Sequence, residues 1–550
     1  MNIHSKPLRT LTVADFFCGA GGFSEGFYQS GFDVIFALDN WKPAVQTHDM
    51  NHPECNTCYM NILDLDTPEN IDKIIPDTDI IIGSPPCVSF SNSNKSGKAD
   101  KSLGIQLIEQ FLKIILHKKT KPGSILKYWI MENVPNSLDY VKEVYTAKEL
   151  GLDESLSDLH IVKKNILTAS DYGSPQGRKR GIAGDYVIPI KTHNETNAVH
   201  IQNIMDALGG PLDKTDSIVT DPSYNEIKVN KTKLSDHLYD NELPDDWICK
   251  ARRLKTDHGY MGKMDFPDRT NRLCRTIMAT ESYCSRESLI FKKENTNTYR
   301  APTIRELACL MGFPITYQFS GKSSTIKHKQ IGNAVCVHLS LALANAIQED
   351  LGISLVKSSR TIKPCSYNLN NMKEGLFANH SVKSKKKNSK FHMHVPHLKL
   401  KQLRVELSNL QSNFETETYI WDCKLHKGAG KNAKVIQYNN SHVINLLKNI
   451  NRTEFEKHEL WFDTQIKPNL YDSNIYQMKY CEIPEYKDNI HLSPTTTLEF
   501  ISQYIYLNIQ DVYHDSIPEL DTLLECKKPG LYSERILYSL YFVNKIVQCI

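Results

Sequence analysis

The stretch DIIIGSPPCVSFS, residues 79–91, ends a short apolar run on two prolines and then presents a single cysteine, Cys87. Asp79 to Ile82 is apolar and β-branched without alternation, the pattern of a strand that a parallel sheet buries on both faces. Gly83, Ser84, Pro85 and Pro86 stop it abruptly, because proline fixes φ and lacks a backbone donor. The thiol therefore stands in a rigid turn at the carboxyl end of a strand, the edge of an open α/β sheet where ligands collect. Buried, inert thiols are common among cysteines, so the segments around Cys87 must decide what it is for.

Outward from this strand, apolar runs at Thr12 to Phe17, Asp33 to Asp39 and Tyr128 to Met131 alternate with helical stretches. That rhythm predicts an α/β fold with a doubly wound, Rossmann-like sheet. From about 191 to 300 the period loosens into polar, loop-rich sequence, then tightens at APTIRELACLMGF, residues 301–313, and in an apolar helix after QIGNAV, residues 330–335. The predicted division is a catalytic domain of residues 8–190 plus 327–350, an irregular domain at 191–326, a linker at 351–390 containing SVKSKKKNSK, and a separate α+β domain at 391–550.

With 40% hydrophobic and 23% charged residues over 550 positions, the chain reads as globular with ample core. The formal net charge of +3 neither identifies nor excludes a nucleic-acid partner. A polar start, MNIHSKPLRTLTVADFF, and no apolar run read as long enough for a bilayer predict a cytoplasmic protein without membrane contact. Fourteen scattered cysteines read as reduced thiols, Cys55 and Cys58 being a lone CxxC with no second pair.

Chemistry-bearing motifs cluster around the predicted strands. DFFCGAGGFSEGF, residues 15–27, follows the first strand; its Gly19, Gly21 and Gly22 permit a tight turn and close approach of a ligand to the backbone and helix amides. It differs from GxGxxG, so a dinucleotide is not implied. Asp39 ends the second strand, where a carboxylate can accept both hydroxyls of a ribose, and Asp64 follows the next strand-like segment. YWIMENVPN, residues 128–136, delivers Glu132 and Asn133 to the same sheet edge as Cys87. In SPQGRKRGIAG, residues 174–184, Arg178 and Arg180 point the same way if the segment is extended.

In this order, DFFCGAGGFSEGF, GSPPCVSFS, ENVPN, QGRKR, RAPTIRELACLMGFP and QIGNAV resemble the motifs of the DNA (cytosine-5)-methyltransferase family over roughly residues 10–350. Val88 and Ser89 depart from it, the family more often having a glutamine there. The resemblance implies a class I S-adenosylmethionine-dependent fold and a catalytic set of Cys87, Glu132, Arg178 and Arg180. Cys87 would attack carbon 6 of a flipped cytosine, Glu132 hold the base, Arg180 support the adduct and Arg178 the active-site loop. It also implies a pocket for S-adenosyl-L-methionine at Phe17, Gly19, Ala20, Gly21, Gly22, Asp39, Asp64, Pro85, Asn333 and Val335, with no metal. DNA contact is implied for Ser91, Thr276 and Ile277, with sequence recognition in the irregular region. The implied partners are double-stranded DNA and a restriction endonuclease of the same site, in a prokaryotic cytoplasm, the enzyme being a monomer. A methyltransferase acting on transfer RNA, and a DNA-binding homologue whose C-terminal domain does the main work as a nuclease, are the alternatives; the long recognition region argues against the first, and the presence of Cys87 together with Glu132 argues against a catalytically dead methyltransferase domain.

Residues 391–550 resemble no family. Asp422 and Lys424 in YIWDCKLHKGAGKNAK, with Glu406 or Glu417, fit half of a PD-(D/E)xK nuclease signature, but short acid-and-lysine pairs are common, and an accessory DNA-binding or interaction domain is the favoured reading. His392, His394, His397, Cys423 and His426 lack the paired spacing of a zinc site.

Overall fold

The computed structural model describes residues 10–86, 101–256, 264–280, 282–293, 296–357, 359–378, 389–396, 398, 403–428, 433–481, 491–510, 513–514 and 532–550. Cys87, Ser91 and His397 lie outside the described residues. The chain divides into two compact units, Met1–Asn379 and His380–Ile550.

In the first unit, β1 (Thr12–Phe16), β2 (Asp33–Asp39), β3 (Asn56–Tyr59), β4 (Ile80–Gly83) and β5 (Tyr128–Asn133) run parallel. Two antiparallel strands, β6 (Lys163–Thr168) and β7 (Lys179–Asp185), complete a sheet of order β3-β2-β1-β4-β5-β7-β6. The winding is carried by α1 (Gly22–Gln29), α2 (Lys42–Asn51), α3 (Pro68–Ile74) and α4 (Ser102–Thr120). Strand order reverses between β1 and β4, so the turns that follow these two strands flank one crevice.

Alternating side chains feed two cores. Val13, Val34, Ile80, Ile82 and Ile130 face one side, Ala14, Phe16, Phe36, Ile81 and Trp129 the other, where Phe111, Ile114 and Ile115 of α4 cover them. Burial on both faces explains why these strands read as continuous apolar runs. The segments of β6 and β7, KKNILT and KRGIAGD, carry lysines and glycines unfavourable to strands, and pairing of β7 with β5 and of β6 with β7 overrides that preference.

Beyond β7 the chain forms α5 (Ile201–Leu208), α6 (Asp245–Thr256) and α7 (Ile304–Leu310), the last opened by a capping box between Thr303 and Glu306. Then α8 (Ser324–Asn333) and α9 (Val337–Leu351) follow. Contrary to the sequence expectation, Ser324–Leu351 is long and apolar enough to cross a membrane, but 72% of its apolar window is buried inside the fold and extended backbone at Ala334 breaks it in two, which marks core helices.

The stretch expected as a linker is, over its described part to residue 378, a strap on the first unit. Arg360 pairs with the fully buried Glu25 and stacks 3.7 Å above Tyr28, while Asn368 and Asn370 accept hydrogen bonds from the backbone of Asp236 and His237 at 2.8 and 2.9 Å. A polar composition hid these anchors, since each reaches a partner more than a hundred residues away in the chain.

The second unit opens with an antiparallel meander, β8 (His392–His394), β9 (Leu403–Ser408), β10 (Asp422–Lys427) and β11 (Lys434–Ile436). Its apolar face, with Val405, Leu407 and Leu425, packs into a core shared with α10 (Asn440–Trp461), α11 (Ser473–Tyr480), α12 (Pro494–Asn508) and α13 (Glu534–Cys549).

Candidate active site

Three turns at the carboxyl edge of the sheet are stitched together. After β1, Phe17 adopts φ 56°, a left-handed conformation rare for a large side chain and held here by its surroundings. Ser84, after β4, donates through Oγ to the Phe17 carbonyl at 3.0 Å. Asn133, at the end of β5, donates to the carbonyl of buried Pro85 at 3.0 Å. The turns carrying the glycine motif, the proline pair before Cys87 and the glutamate motif thus share one rigid edge.

The glycines divide by role. At Gly22 a Cβ would lie 2.2 Å from the carbonyl oxygen of Val335, and at Gly21, φ 88°, 2.5 Å from the Tyr317 hydroxyl; only glycine permits that packing. The same contact places Val335 beside the first motif. Gly19, φ 54°, is different: a Cβ there meets nothing closer than 4.0 Å, so its surface is open at the crevice. Its N–H donates to Asp39 Oδ2 at 3.0 Å, and Trp41 N–H donates to Oδ1 at 2.8 Å. Burial pushes the Asp39 carboxyl up, against these backbone bonds, which pull it down. Each carboxylate oxygen still has a lone pair to offer. Half-buried Phe17, open Gly19 and braced Asp39 fit a nucleoside-bearing cofactor at this edge. Asp64 and Asn333 are exposed, at the turn after β3 and the end of α8.

Glu132 is 6% exposed at the end of β5. Arg180 Nε approaches its Oε1 at 2.8 Å, yet that oxygen has no aligned hydrogen-bond donor among the described residues. Charge neutralisation without a directed bond leaves a buried acceptor at the crevice, an arrangement that costs stability unless a ligand completes it.

Arg178 goes elsewhere. An extended segment would point both arginines one way, but Arg178 precedes β7 and turns away, buried, donating to the carbonyls of Ile277, Gly332 and Ala334 at 3.1 Å each. Gln176 accepts from Ile277 N–H at 3.1 Å, so both backbone groups of Ile277 are gripped by the QGRKR segment. Arg178 is therefore a positioning residue. Thr276 and Ile277 line a small cleft with Thr280, Tyr283 and His328.

Beneath the glycine turn lies a polar string. Ser24 Oγ donates to Asp15 at 2.6 Å and lies 3.0 Å from His48 Nε2. Burial pushes the Asp15 carboxyl up to about 7 and the His48 imidazole down to about 3, so both favour their neutral forms. Sequence reasoning missed Tyr317, whose hydroxyl donates to the Ala20 carbonyl at 2.6 Å from 297 residues away; no local signal could have marked it. Gln176 stands in the QGRKR segment itself, but its bond to Ile277 reaches 101 residues along the chain.

Residues 11–349 match the family model of the C-5 cytosine-specific DNA methylases. Similar proteins include the type II methyltransferase M.MthTI of Methanothermobacter thermautotrophicus, 27% identical over 62% of this chain and 98% of its own length. The type II methyltransferase M1.HphI of Haemophilus parahaemolyticus is 27% identical over 62% and 87%, and M.HgiDI of Herpetosiphon aurantiacus 28% over 62% and 94%. The family match ends before the C-terminal unit begins.

Proposed function

The chain belongs to the C-5 cytosine-specific DNA methylase family, and from that premise we propose that Cys87, Glu132 and Arg180 carry out its methyl transfer to cytosine in DNA. Carbon 5 of cytosine is a weak nucleophile, and addition of the Cys87 thiolate at carbon 6 makes it electron-rich. Glu132 holds the hydrogen-bonding edge of the base and offsets the charge that develops, while Arg180 fixes the carboxylate. Release requires loss of the carbon-5 proton to a base and expulsion of Cys87 as thiolate. Because the target is stacked in duplex DNA, it must be flipped out at a cost of roughly a few kcal/mol.

S-adenosyl-L-methionine, the methyl donor the family uses, supplies an electrophilic methyl group and leaves neutral. Phe17, Gly19, Ala20, Gly21, Gly22, Asp39, Asp64, Pro85, Asn333 and Val335 are the residues assigned to hold it. Arg178 and Gln176 position Thr276 and Ile277 for contact with DNA, and Ser91 is assigned to the same surface. The names of the relatives, type II methyltransferases, support a role in a restriction-modification system; the enzyme would act there as a monomer in a prokaryotic cytoplasm, beside an endonuclease of the same site.

The observation that carries the reading is the buried, donor-poor Glu132 Oε1 beside Arg180, at an edge tied to Pro85 through Asn133. Transfer of radiolabelled methyl to unmethylated duplex DNA, with the modified base mapped by sequencing, tests it. Cys87→Ala should lower the rate by roughly 10⁴-fold or more. Undiminished transfer by that variant, or transfer to RNA but not DNA, would overturn the assignment.

A further inference from the structure

The polar face of the C-terminal sheet carries side chains that methyl transfer does not use. Antiparallel pairing sets Glu406 of β9 opposite both Lys424 of β10 and His394 of β8, and Ser408 opposite Asp422. Side chains alternate across a strand, so Glu406, Asp422, Lys424 and His426 share the face opposite core-filling Val405, Leu407 and Leu425. An ordinary solvent face would expose them. Instead the side chain of Glu406 is 8% exposed, that of His426 16%, Asp422 19% and Lys424 22%.

Their partners do not account for that burial. Lys424 Nζ lies 3.0 Å from Asp422 Oδ2, but Asp422 Oδ1 is buried with no hydrogen-bond partner among the described residues. Among the described residues, the groups facing Glu406 at ion-pair distance are two imidazole nitrogens, His394 Nδ1 at 3.6 Å and His426 Nε2 at 3.5 Å, at or beyond the limit of a hydrogen bond. His426 Nε2 itself has no hydrogen-bond partner among the described residues. A carboxylate buried this way is costly until a cation reaches it. Among the described residues no three His, Cys, Asp or Glu side chains form a ready-made metal cage. Magnesium does not need one, since it keeps several waters and takes one or two carboxylates together with the phosphate oxygens of its substrate.

We infer that Glu406, Asp422 and Lys424 form a second active site, which binds a divalent cation and hydrolyses phosphodiester bonds in DNA. The choice of DNA rests on the activity of the family to which residues 11–349 belong; the hydrolytic chemistry does not. Glu406 and Asp422 hold the cation, which polarises the phosphoryl group and acidifies a bound water. Water oxygen bonds to phosphorus and one ester P–O bond breaks; a water proton ends on the departing oxygen, leaving a hydroxyl and a phosphate monoester. Lys424, fixed by Asp422, orients the water and stabilises the charge on the phosphoryl oxygens.

Full-length protein, without S-adenosylmethionine, is incubated with unmethylated bacteriophage genomic DNA and Mg²⁺, Mn²⁺ or EDTA. Cleavage should require the cation, and Glu406→Gln, Asp422→Asn and Lys424→Ala should each lower it by roughly 100-fold or more. Methyl transfer to the same DNA by these variants should be unchanged, which also shows that they fold. Cys87→Ala should keep full cleavage. Mn²⁺ binding, read by electron paramagnetic resonance, should weaken in Glu406→Gln and Asp422→Asn and persist in Lys424→Ala. No cation-dependent cleavage by the wild type, or cleavage undiminished in Asp422→Asn, overturns the inference. Cleavage without methylation supports it while sinking the Cys87 assignment alone.

Discussion

The central parallel strands of the seven-stranded sheet are buried on both faces, so functional groups stand where strands end: the prolines before Cys87 after β4, Glu132 near the end of β5, Asp39 at the tip of β2. The four-stranded sheet packs one face on its core and sets Glu406, Asp422 and Lys424 on the other. A group at an edge is aimed by the turn that follows it, which demands glycine, proline or asparagine at fixed offsets. One on a face is aimed by the strand itself, and pairing register does what turn residues do at the edge. Among the described residues, Glu132 Oε1 in one sheet lacks an aligned hydrogen-bond donor and Glu406 in the other faces imidazole nitrogens at 3.5 and 3.6 Å, and the two differ in what they await.

Making the same substitution in both sheets tests that comparison most sharply. Glu132→Gln should lower single-turnover methyl transfer by roughly 10²–10³-fold, because it removes the charge set against the activated base. DNA cleavage should not respond. Glu406→Gln should leave methyl transfer intact and, without added cation, should not lower the unfolding midpoint, since among the described residues the carboxylate faces imidazole nitrogens only at 3.5 and 3.6 Å, at or beyond hydrogen-bond reach. A variant of Glu132 with full transfer activity would reduce the edge carboxylate to a structural partner of Arg180.

How legible each sheet was in the sequence follows from the same difference. Edge chemistry leaves contiguous words such as GSPPC and ENVPN, in which a strand, its terminator and a reactive group stand side by side. Four of the parallel strands could be placed within two residues for that reason, and Glu132 with them. Face chemistry leaves only alternation: Asp422 and Lys424 sit two apart like any solvated strand, and Glu406 joins them through a register that sequence does not display. The same limit hid the grip of Arg178 on Ile277, Gly332 and Ala334, which spans about a hundred to 156 residues. The strap at Arg360, Asn368 and Asn370 read as linker because its anchors are polar and distant.

A smaller effect probes how tightly the edge is built. Gly22→Ala would drive a methyl group to 2.2 Å from the Val335 carbonyl, where backbone must shift to relieve it. Overpacking of this kind costs about 1–3 kcal/mol. The first unit should unfold earlier and bind S-adenosylmethionine more weakly, as read by calorimetry with and without the cofactor. The cation-dependent behaviour of Glu406 and Asp422 should be unaffected. Unchanged stability would mean that the glycine turn and Val335 are less rigidly joined than their approach requires.

The smallest effect lies under the same turn. Burial raises the Asp15 carboxyl from 3.8 to about 7, so between those values the folded protein retains a proton that the unfolded chain has released. Stability contributed by this group is complete below about pH 4, declines as pH rises towards 7, and is absent above it. Asp15→Asn keeps an acceptor for the Ser24 hydroxyl and removes the titration. Unfolding free energies measured from pH 5 to 8 should therefore favour the variant progressively, by about 2–3 kcal/mol across that range. A constant gap between the two proteins across that range would show that Asp15 is ionised in the fold and that Ser24 and its surroundings stabilise the charge.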